Sequence, residues 1–133
     1  MRRRKVLAII YKEEKKQKKF LILHRKLRWV GWECVKETIE ENETEEQAVH
    51  RGIREETGIQ KMHIEKSKPV DILLADGSHI ERAFLVQVSP KEKIDLSTEI
   101  EHDGYRWVSK EEAEKQLTYQ NIREILNKIE TGN

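Results

Sequence analysis

Two apolar runs near the start of the chain predict the first strands of a sheet. VLAIIY and FLILHR are short segments with the aliphatic side chains that strands favour. The polar segment KEEKKQKK separates them, which indicates a hairpin with a mobile, basic connection. The segment RWVGWECVKETI, which follows, predicts a loop and one short strand.

Further strands are expected in the second half of the chain. Asp76-Gly77 is typical of a hairpin turn, and the apolar run at residues 83–88 predicts a strand after it. The segment GYRWVS predicts one more strand. With the first hairpin, these segments indicate a sheet of several strands.

A helix is predicted between Thr44 and Gly58. Thr44 and Gln47 have the spacing of a capping box, and a glycine commonly closes a helix in the left-handed conformation. Ser109 and Glu112 repeat the capping-box spacing before a short helix. A last helix is predicted near residues 119–129, where apolar residues recur at helical spacing: Ile122, Ile125, Leu126 and Ile129. This order of elements indicates a mixed sheet flanked by helices.

The first predicted helix ends in two adjacent glutamates that need different explanations. On a helical wheel, Glu56 falls in the middle of the apolar stripe that contains Val49 and Ile53. Glu55 lies just outside the stripe and one turn from Arg51, so an ordinary i,i+4 ion pair explains it. The helix dipole disfavours negative charge in this last turn, and a bound cation is the better explanation for Glu56.

Length and composition indicate one soluble domain, residues 1–133. Charged residues make up 38% of the chain and hydrophobic residues 36%, which indicates a dense ionic surface. We find no apolar run of membrane-spanning length and no secretory leader, and we expect a cytoplasmic protein without membrane contact. The single cysteine, Cys34, excludes an internal disulfide and a cysteine-built zinc site and is interpreted as a packed side chain.

Charge is unevenly distributed along the chain. Residues 1–28 contain twelve Lys and Arg but two Glu, whereas residues 37–56 contain eight Glu but two Arg. We expect the acidic segment to hold a metal and a polyanion to bind between the two segments, the alternative being two solvated surfaces. Contact of the basic segment with RNA and the oligomeric state are left open by the sequence.

The segment ETIEENETEEQAVHRGIREETGI, residues 37–59, resembles the signature of the Nudix hydrolases. That signature is G-x5-E-x7-R-E-U-x-E-E-x-G-U, where U is a bulky aliphatic residue. The spacing is intact, and seven of the nine specified positions match: Glu43, Arg51, Ile53, Glu55, Glu56, Gly58 and Ile59. Two positions differ, because Glu37 replaces the first glycine and Gly52 replaces the first glutamate of the R-E-U-x-E-E core.

The resemblance extends over most of the chain. WECVKETIEENET is similar to the W-x-x-P-K-G-x-x-E-x-G-E-T entry of the branch that contains the diadenosine tetraphosphate hydrolases, although Val35, Glu37 and Asn42 depart from it. EIEHDGYRWVSKEEA and LTYQNIREIL are similar to the C-terminal portion of that branch. The resemblance implies an α+β Nudix fold, an α/β/α sandwich with a central mixed β-sheet.

The resemblance also implies an activity and the residues that perform it. Nudix enzymes use Mg²⁺ or Mn²⁺ to hydrolyse a pyrophosphate bond in a nucleoside diphosphate linked to another group, dinucleoside polyphosphates included. The resemblance implies that Glu55, Glu56 and Glu101 are the catalytic residues and metal ligands. Glu43 would pair with Arg51 and support the loop before the helix. A solvated loop acid is the alternative for Glu101.

Substrate contacts are expected from residues outside the signature. Lys36, Arg25 and His24 are candidates for binding phosphates of a nucleotide or dinucleoside polyphosphate, the alternative being exposed charges at strand ends. Tyr119 stands where the resembling branch often has an aromatic side chain near the base, and stacking would contribute about 1 to 3 kcal/mol. Its alternative role is to pack the start of the last helix.

The glycine at position 52 leaves two classes of function open. No other side chain on the helix replaces the missing carboxylate, and glycine costs about 1 kcal/mol relative to alanine inside a helix. The first hypothesis is a divergent hydrolase with fewer or weaker metals. The second is a nucleotide-binding or regulatory module that keeps the fold but has lost most turnover. If the helix has the geometry of the family, Gly52→Glu is expected to raise metal affinity and rate.

Overall fold

The structure, a computed structural model, describes residues 3–97 and 99–131. Within these residues the chain forms seven strands and three helices. In chain order these are β1 (Arg4–Glu14), β2 (Gln17–Arg25), β3 (Gly31–Glu33), β4 (Val35–Thr38), α1 (Glu45–Thr57), β5 (His63–Leu73), β6 (His79–Gln87), β7 (His102–Val108), α2 (Lys110–Gln116) and α3 (Gln120–Thr131).

The strands form one mixed sheet, as predicted. Its main order is β3-β2-β1-β6-β5, with β4 paired to β1 and β7 paired to β2. The β1–β6 pair is parallel and the other pairs are antiparallel. Strand β1 is buried without a break from Val6 to Tyr11, which fits a central strand covered on both faces.

Helices cover both faces of the sheet and confirm the expected α/β/α sandwich of an α+β fold. On one face, Ala48, Val49 and Ile53 of α1 pack against sheet residues that include Ile10 and Phe84. On the other face, α2 and α3 contribute a set of buried apolar residues: Ala113, Ile122, Ile125, Leu126 and Ile129. None of the helices in the described ranges is long and apolar enough to cross a membrane.

The connection between β1 and β2 differs from the expected one. The strands continue through most of the polar segment, and only Lys15 and Lys16 form the turn, with φ of 51° and 66°. Two positive-φ residues are the geometry of a tight type I′ hairpin. The predicted hairpin is confirmed, and its turn is shorter than the polar segment because cross-strand pairing of charged residues, such as Glu13 opposite Lys18, extends the ladder.

The other predicted elements are close to their expected positions. Thr44 and Gln47 form the full capping box of α1, and Gly58 ends the helix with φ of 78°. Ser109 accepts from the Glu112 backbone at 3.1 Å, but the Glu112 carboxylate accepts from Gln116. The turn at Asp76-Gly77 joins β5 to β6, and β6 begins earlier than predicted, at His79.

Candidate active site

The oppositely charged segments meet at one cleft of about 880 Å³. The basic segment contributes cations to its walls, and the region around α1 contributes carboxylates, which agrees with the expected juxtaposition. Those cations are Arg3, Lys5, Arg25 and Arg28, joined by Lys36; the carboxylates are Glu33, Glu37, Glu55 and Glu56, joined by Glu99 and Glu101. The cleft therefore has an acidic floor beside cationic walls, which suits a metal and a phosphate chain.

Glu56 is the buried carboxylate of this floor. Its side chain is 13% exposed, and its nearest cationic contact is His102 Nδ1, 4.0 Å from Oε1. Among the described residues, no group donates a hydrogen bond to its carboxylate. Burial raises the pKa of Glu56 well above its usual value, and the neighbouring charges of Glu37, Glu33, Glu101 and Glu99 raise it further. Glu56 is thus largely buried, as predicted, and no described Lys or Arg pairs with it.

Glu101 is brought to Glu56 by the loop before β7. Ligand atoms of Glu56, Glu101 and His102 all lie within 4.8 Å of one another. The Glu101 side chain is 47% exposed, and its carboxylate is 3.4 Å from Arg25 Nη1. Two residues far apart in the sequence, both predicted as ligands, therefore share one site.

His102 is buried beside this site but is poorly suited to bind a metal. Its Nδ1 lies 2.6 Å from the Glu99 carboxylate and its Nε2 lies 2.7 Å from the Glu33 carboxylate. Burial lowers the pKa of His102, but hydrogen bonds with Glu33 and Glu99 outweigh this effect and raise it. Both ring nitrogens face carboxylates, and a protonated His102 would donate from both and have no lone pair for an ion. His102 was not predicted from the sequence, where the only indication of its role was its position directly after Glu101.

Glu33 organises the cationic wall of the cleft, and it was also missed from the sequence. Its side chain is 5% exposed; Arg25 Nη1 lies 3.0 Å from Oε2 and Lys36 Nζ lies 3.1 Å from Oε1. Burial raises the pKa of Glu33, but His102, Lys36 and Arg25 outweigh it and lower the pKa to about 2. The predicted phosphate contacts Arg25 and Lys36 are therefore held in place by a buried anion.

The aromatic side chains Trp29 and Tyr119 form an edge-to-face pair on the cleft wall. Their ring centroids are 5.1 Å apart, and both residues line the cleft. Arg25 and Lys36 also lie near the Trp29 ring, at 5.4 and 5.8 Å from its centroid. His24, by contrast, pairs with Asp103 and is not among the residues that line the cleft. The cleft thus presents a stacking surface next to its cations.

The family model of the NUDIX domain matches residues 1–129. The chain belongs to the Nudix family. Its members hydrolyse pyrophosphate bonds in derivatives of nucleoside diphosphates. No curated protein sequence matches the chain at a significant level. The family and the fold implied by residues 37–59 are therefore both confirmed.

Solved Nudix structures share this fold at low sequence identity. An Ap4A hydrolase of C. elegans in a binary complex is 23% identical, covers 97% of this chain and 96% of its own, and superposes with a TM-score of 0.84. The MutT protein of Methanosarcina mazei Go1 is 24% identical, with 98% and 94% coverage and a TM-score of 0.76. The NUDIX domain of Shewanella oneidensis NrtR, complexed with ADP ribose, is 14% identical, with 98% and 88% coverage and a TM-score of 0.73.

The Nudix box (residues 37–59) contains the predicted Glu43–Arg51 pair. Arg51 Nε is 2.8 Å from Glu43 Oε2, and Arg51 Nη2 donates to Glu43 Oε1 at 3.0 Å and to the Thr38 carbonyl at 2.6 Å. The Glu40 backbone N–H donates to the same Glu43 carboxylate at 2.9 Å. These contacts fasten the loop before α1 to the helix and to β4.

Glu55 is separated from the buried group that contains Glu56 and Glu101. Its side chain is 58% exposed, and its carboxylate lies 3.4 Å from Arg51 Nη1, as the helical spacing predicted. Glu55 borders the cleft, but its carboxylate is not among the ligand atoms within 4.8 Å of one another. The structure therefore groups Glu56 with Glu101 and leaves Glu55 at the rim.

The two unusual positions of the Nudix box lie in contact. A Cβ placed on Gly52 would be 2.7 Å from Glu37 Cβ and 3.0 Å from Glu37 Cγ. The sequence offered no replacement for this side chain on α1, and in the structure the side chain that fills the space comes from β4. The Gly52→Glu substitution was expected to raise metal affinity and rate, but its side chain would clash with Glu37.

The donor set fits a hard divalent cation. Glu56 and Glu101 offer carboxylate oxygens, and the buried Glu56 carboxylate has no hydrogen-bond donor among the described side chains. Mg²⁺ and Mn²⁺ prefer such oxygen ligands, while the absence of a second histidine or a nearby thiol from the group disfavours softer metals. Cys34 is buried in the core, where desolvation raises the pKa of its thiol to about 12.

Proposed function

We propose that this protein is a metal-dependent hydrolase of a phosphoric anhydride bond in a nucleoside diphosphate linked to a second group. The observation that carries this proposal is Glu56, a largely buried carboxylate that accepts no hydrogen bond from any described residue, on the floor of a cleft with cationic and aromatic walls. Buried charges in proteins are normally paired or bind metals. The cleft therefore offers what a metal and a nucleotide polyphosphate each require.

When bound, Mg²⁺ or Mn²⁺ neutralises phosphate charge and lowers the pKa of a bound water. The Glu56 and Glu101 carboxylates would hold the ion, and the rim residue Glu55 would add negative charge beside it. Arg25 and Lys36, held in place by Glu33, would bind phosphate oxygens and orient the chain. Positioning and electrostatics are the main requirements of phosphoryl transfer.

Glu101 is our candidate for the general base. It is the more exposed carboxylate of the pair, so solvent reaches it, and it lies beside Glu56. It would take the proton that the attacking water loses as the water oxygen bonds to phosphorus. The bond from phosphorus to the bridging oxygen then breaks, and the leaving phosphate keeps the electron pair.

Dinucleoside polyphosphates are the substrates that we propose first. The Trp29–Tyr119 pair would stack on a base, while the row of cations suits a long phosphate chain. The names of similar structures support this class, since one is an Ap4A hydrolase and another NUDIX domain was crystallised with ADP ribose. We place the reaction in the cytoplasm.

A substrate panel tests this proposal. Diadenosine tetraphosphate, ADP-ribose, a nucleotide sugar and nucleoside triphosphates would each be incubated with Mg²⁺ or Mn²⁺, and products separated by ion-exchange chromatography. We expect hydrolysis that EDTA abolishes and that Glu56→Gln removes. Absence of turnover with every substrate, together with calorimetric binding of a nucleotide, would contradict it. That result would favour a nucleotide-binding or regulatory module, the second hypothesis that Gly52 raises.

A further inference from the structure

Positions 37 and 52 have exchanged glycine and glutamate relative to the Nudix signature, and the structure places them against each other. A Cβ on residue 52 would approach Glu37 Cβ to 2.7 Å, closer than real Cβ atoms come. In the present arrangement there is room for a side chain at position 37 or at position 52, but not at both. One carboxylate enters this space, either from α1 or from β4.

The Glu37 side chain reaches the edge of α1 that carries Glu56. Glu37 Oε2 lies 3.3 Å from the position of a residue-52 Cβ, and residue 52 is one helical turn before Glu56. These distances place the Glu37 carboxylate, delivered from outside the helix, against the edge of α1 that carries Glu56.

The two oxygens of Glu37 have different surroundings. Oε1 lies 3.3 Å from Arg51 Nη1 and accepts from the Thr38 backbone N–H at 3.1 Å. Oε2, which faces Gly52, accepts no hydrogen bond within residues 3–97 and 99–131. Arg51 and Thr38 thus fix the carboxylate while one oxygen stays available.

We propose that Glu37 supplies the metal-binding carboxylate that the Nudix signature places at position 52. Glu37 would join Glu56 and Glu101 as a ligand, delivered from β4 rather than from α1. Its carboxylate, like that of Glu55, lies outside the ligand atoms that are within 4.8 Å of one another, so metal binding would draw Oε2 inward. Gly52 is then a requirement of the site, since any side chain there would displace Glu37. This inference rests on the proposed function and names a residue of the same site.

Mn²⁺ binding to the intact protein tests the role of Glu37 independently of turnover. Free Mn²⁺ would be measured by electron paramagnetic resonance during titration of wild type, Glu37→Gln and Glu40→Gln. Glu40 is the matched control because its carboxylate also approaches Arg51, at 3.4 Å, yet is exposed. We expect Glu37→Gln to weaken Mn²⁺ binding by about tenfold or more, with Glu40→Gln close to wild type. Equal affinities for Glu37→Gln and wild type would overturn the inference.

Moving the carboxylate from position 37 to position 52 distinguishes a metal-binding role of Glu37 from a purely structural one. Glu37→Gly should lose Mn²⁺ affinity, and adding Gly52→Glu to it should restore most of the loss. Gly52→Glu alone should lower the thermal unfolding temperature through its clash with Glu37. A folded double variant that stays as weak as Glu37→Gly would overturn the inference. If the wild-type protein binds no Mn²⁺, the proposed function fails as well. If the wild-type protein binds Mn²⁺ but the variants do not show the expected affinities, only the inference about Glu37 fails.

Discussion

Two acidic regions meet at Arg51, and they differ in one carboxylate, Glu56 of the inner region, which pairs with no described Lys or Arg. The outer acidic region consists of Glu40, Glu43 and Glu55, and each of these carboxylates lies within 3.4 Å of the Arg51 guanidinium. The inner acidic region consists of Glu33, Glu37, Glu56, Glu99 and Glu101. There, Glu33 and Glu99 bind His102, Glu37 lies near Arg51 and Glu101 lies near Arg25, whereas no described group donates to Glu56. Among the described residues, Glu56 is the one unpaired carboxylate of this region, and it therefore identifies the candidate metal site better than the density of acids does.

The largest difference between the two regions should appear in the activity of Glu56→Gln. Losing a ligand that stabilises transition-state charge costs several kcal/mol, so kcat should fall about 10³-fold. Glu55→Gln removes an exposed ion pair worth about 1 kcal/mol at most, a loss of less than about tenfold. Steady-state kinetics with Mg²⁺ on the best substrate of the panel would measure both. Equal losses in the two variants would place Glu55 among the ligands and remove the distinction.

The Glu33→Gln variant tests the part of the inner acidic region where a carboxylate is paired with cations. Glu33→Gln leaves Arg25, Lys36 and His102 without their shared anion, which should cost about 3 kcal/mol of unfolding free energy. Urea unfolding at neutral pH would measure it, with the exposed Glu40→Gln as the control. A change below about 1 kcal/mol, as is usual for a surface pair, would show that Glu33 does not organise the wall.

The lowered pKa of Glu33 adds a pH signature. Its carboxylate favours the folded state above the unfolded pKa of 4.5, and that contribution is lost as pH falls toward about 2. The unfolding free energy of wild type should therefore decline over this window more steeply than that of Glu33→Gln. Parallel curves for the two proteins would contradict the assignment.

Part of this comparison was readable from the sequence. The capping box, Gly58 and the different environments of Glu55 and Glu56 depend on contacts within one helix, so residue spacing predicted them. Glu33 and His102 could not be predicted, because β2, β3 and β7 must pair before these residues meet. The Nudix signature indicated the family. It also places the missing carboxylate on α1, whereas we propose that Glu37 of β4 supplies it.

An intermediate effect is expected at the aromatic wall of the cleft. Tyr119→Ala should raise KM by an amount equal to about 1 to 3 kcal/mol of lost stacking, with kcat largely retained. Tyr105→Ala is the control, since Tyr105 is an exposed tyrosine that does not line the cleft. Initial rates over a range of substrate concentrations would separate KM from kcat. The same KM in both variants would exclude Tyr119 from substrate binding.

The smallest effect concerns the contact between Glu37 and Gly52. Alanine normally stabilises a helix by about 1 kcal/mol relative to glycine, but here its Cβ would overlap the Glu37 side chain. Gly52→Ala should therefore destabilise the protein by about 1 kcal/mol, and should stabilise it in a Glu37→Gly background. Thermal unfolding of the four proteins would measure both effects. Stabilisation by Gly52→Ala in the wild-type background would contradict the contact.

Locating the ion would test the central claim most directly. Crystals of the protein grown or soaked with Mn²⁺ would be measured near the manganese absorption edge, and the anomalous difference map would show where the ion binds. We predict a peak within coordination distance of the Glu56 carboxylate, in the inner acidic region. A peak confined to Glu40, Glu43 and Glu55, or none beside Glu56, would contradict the account.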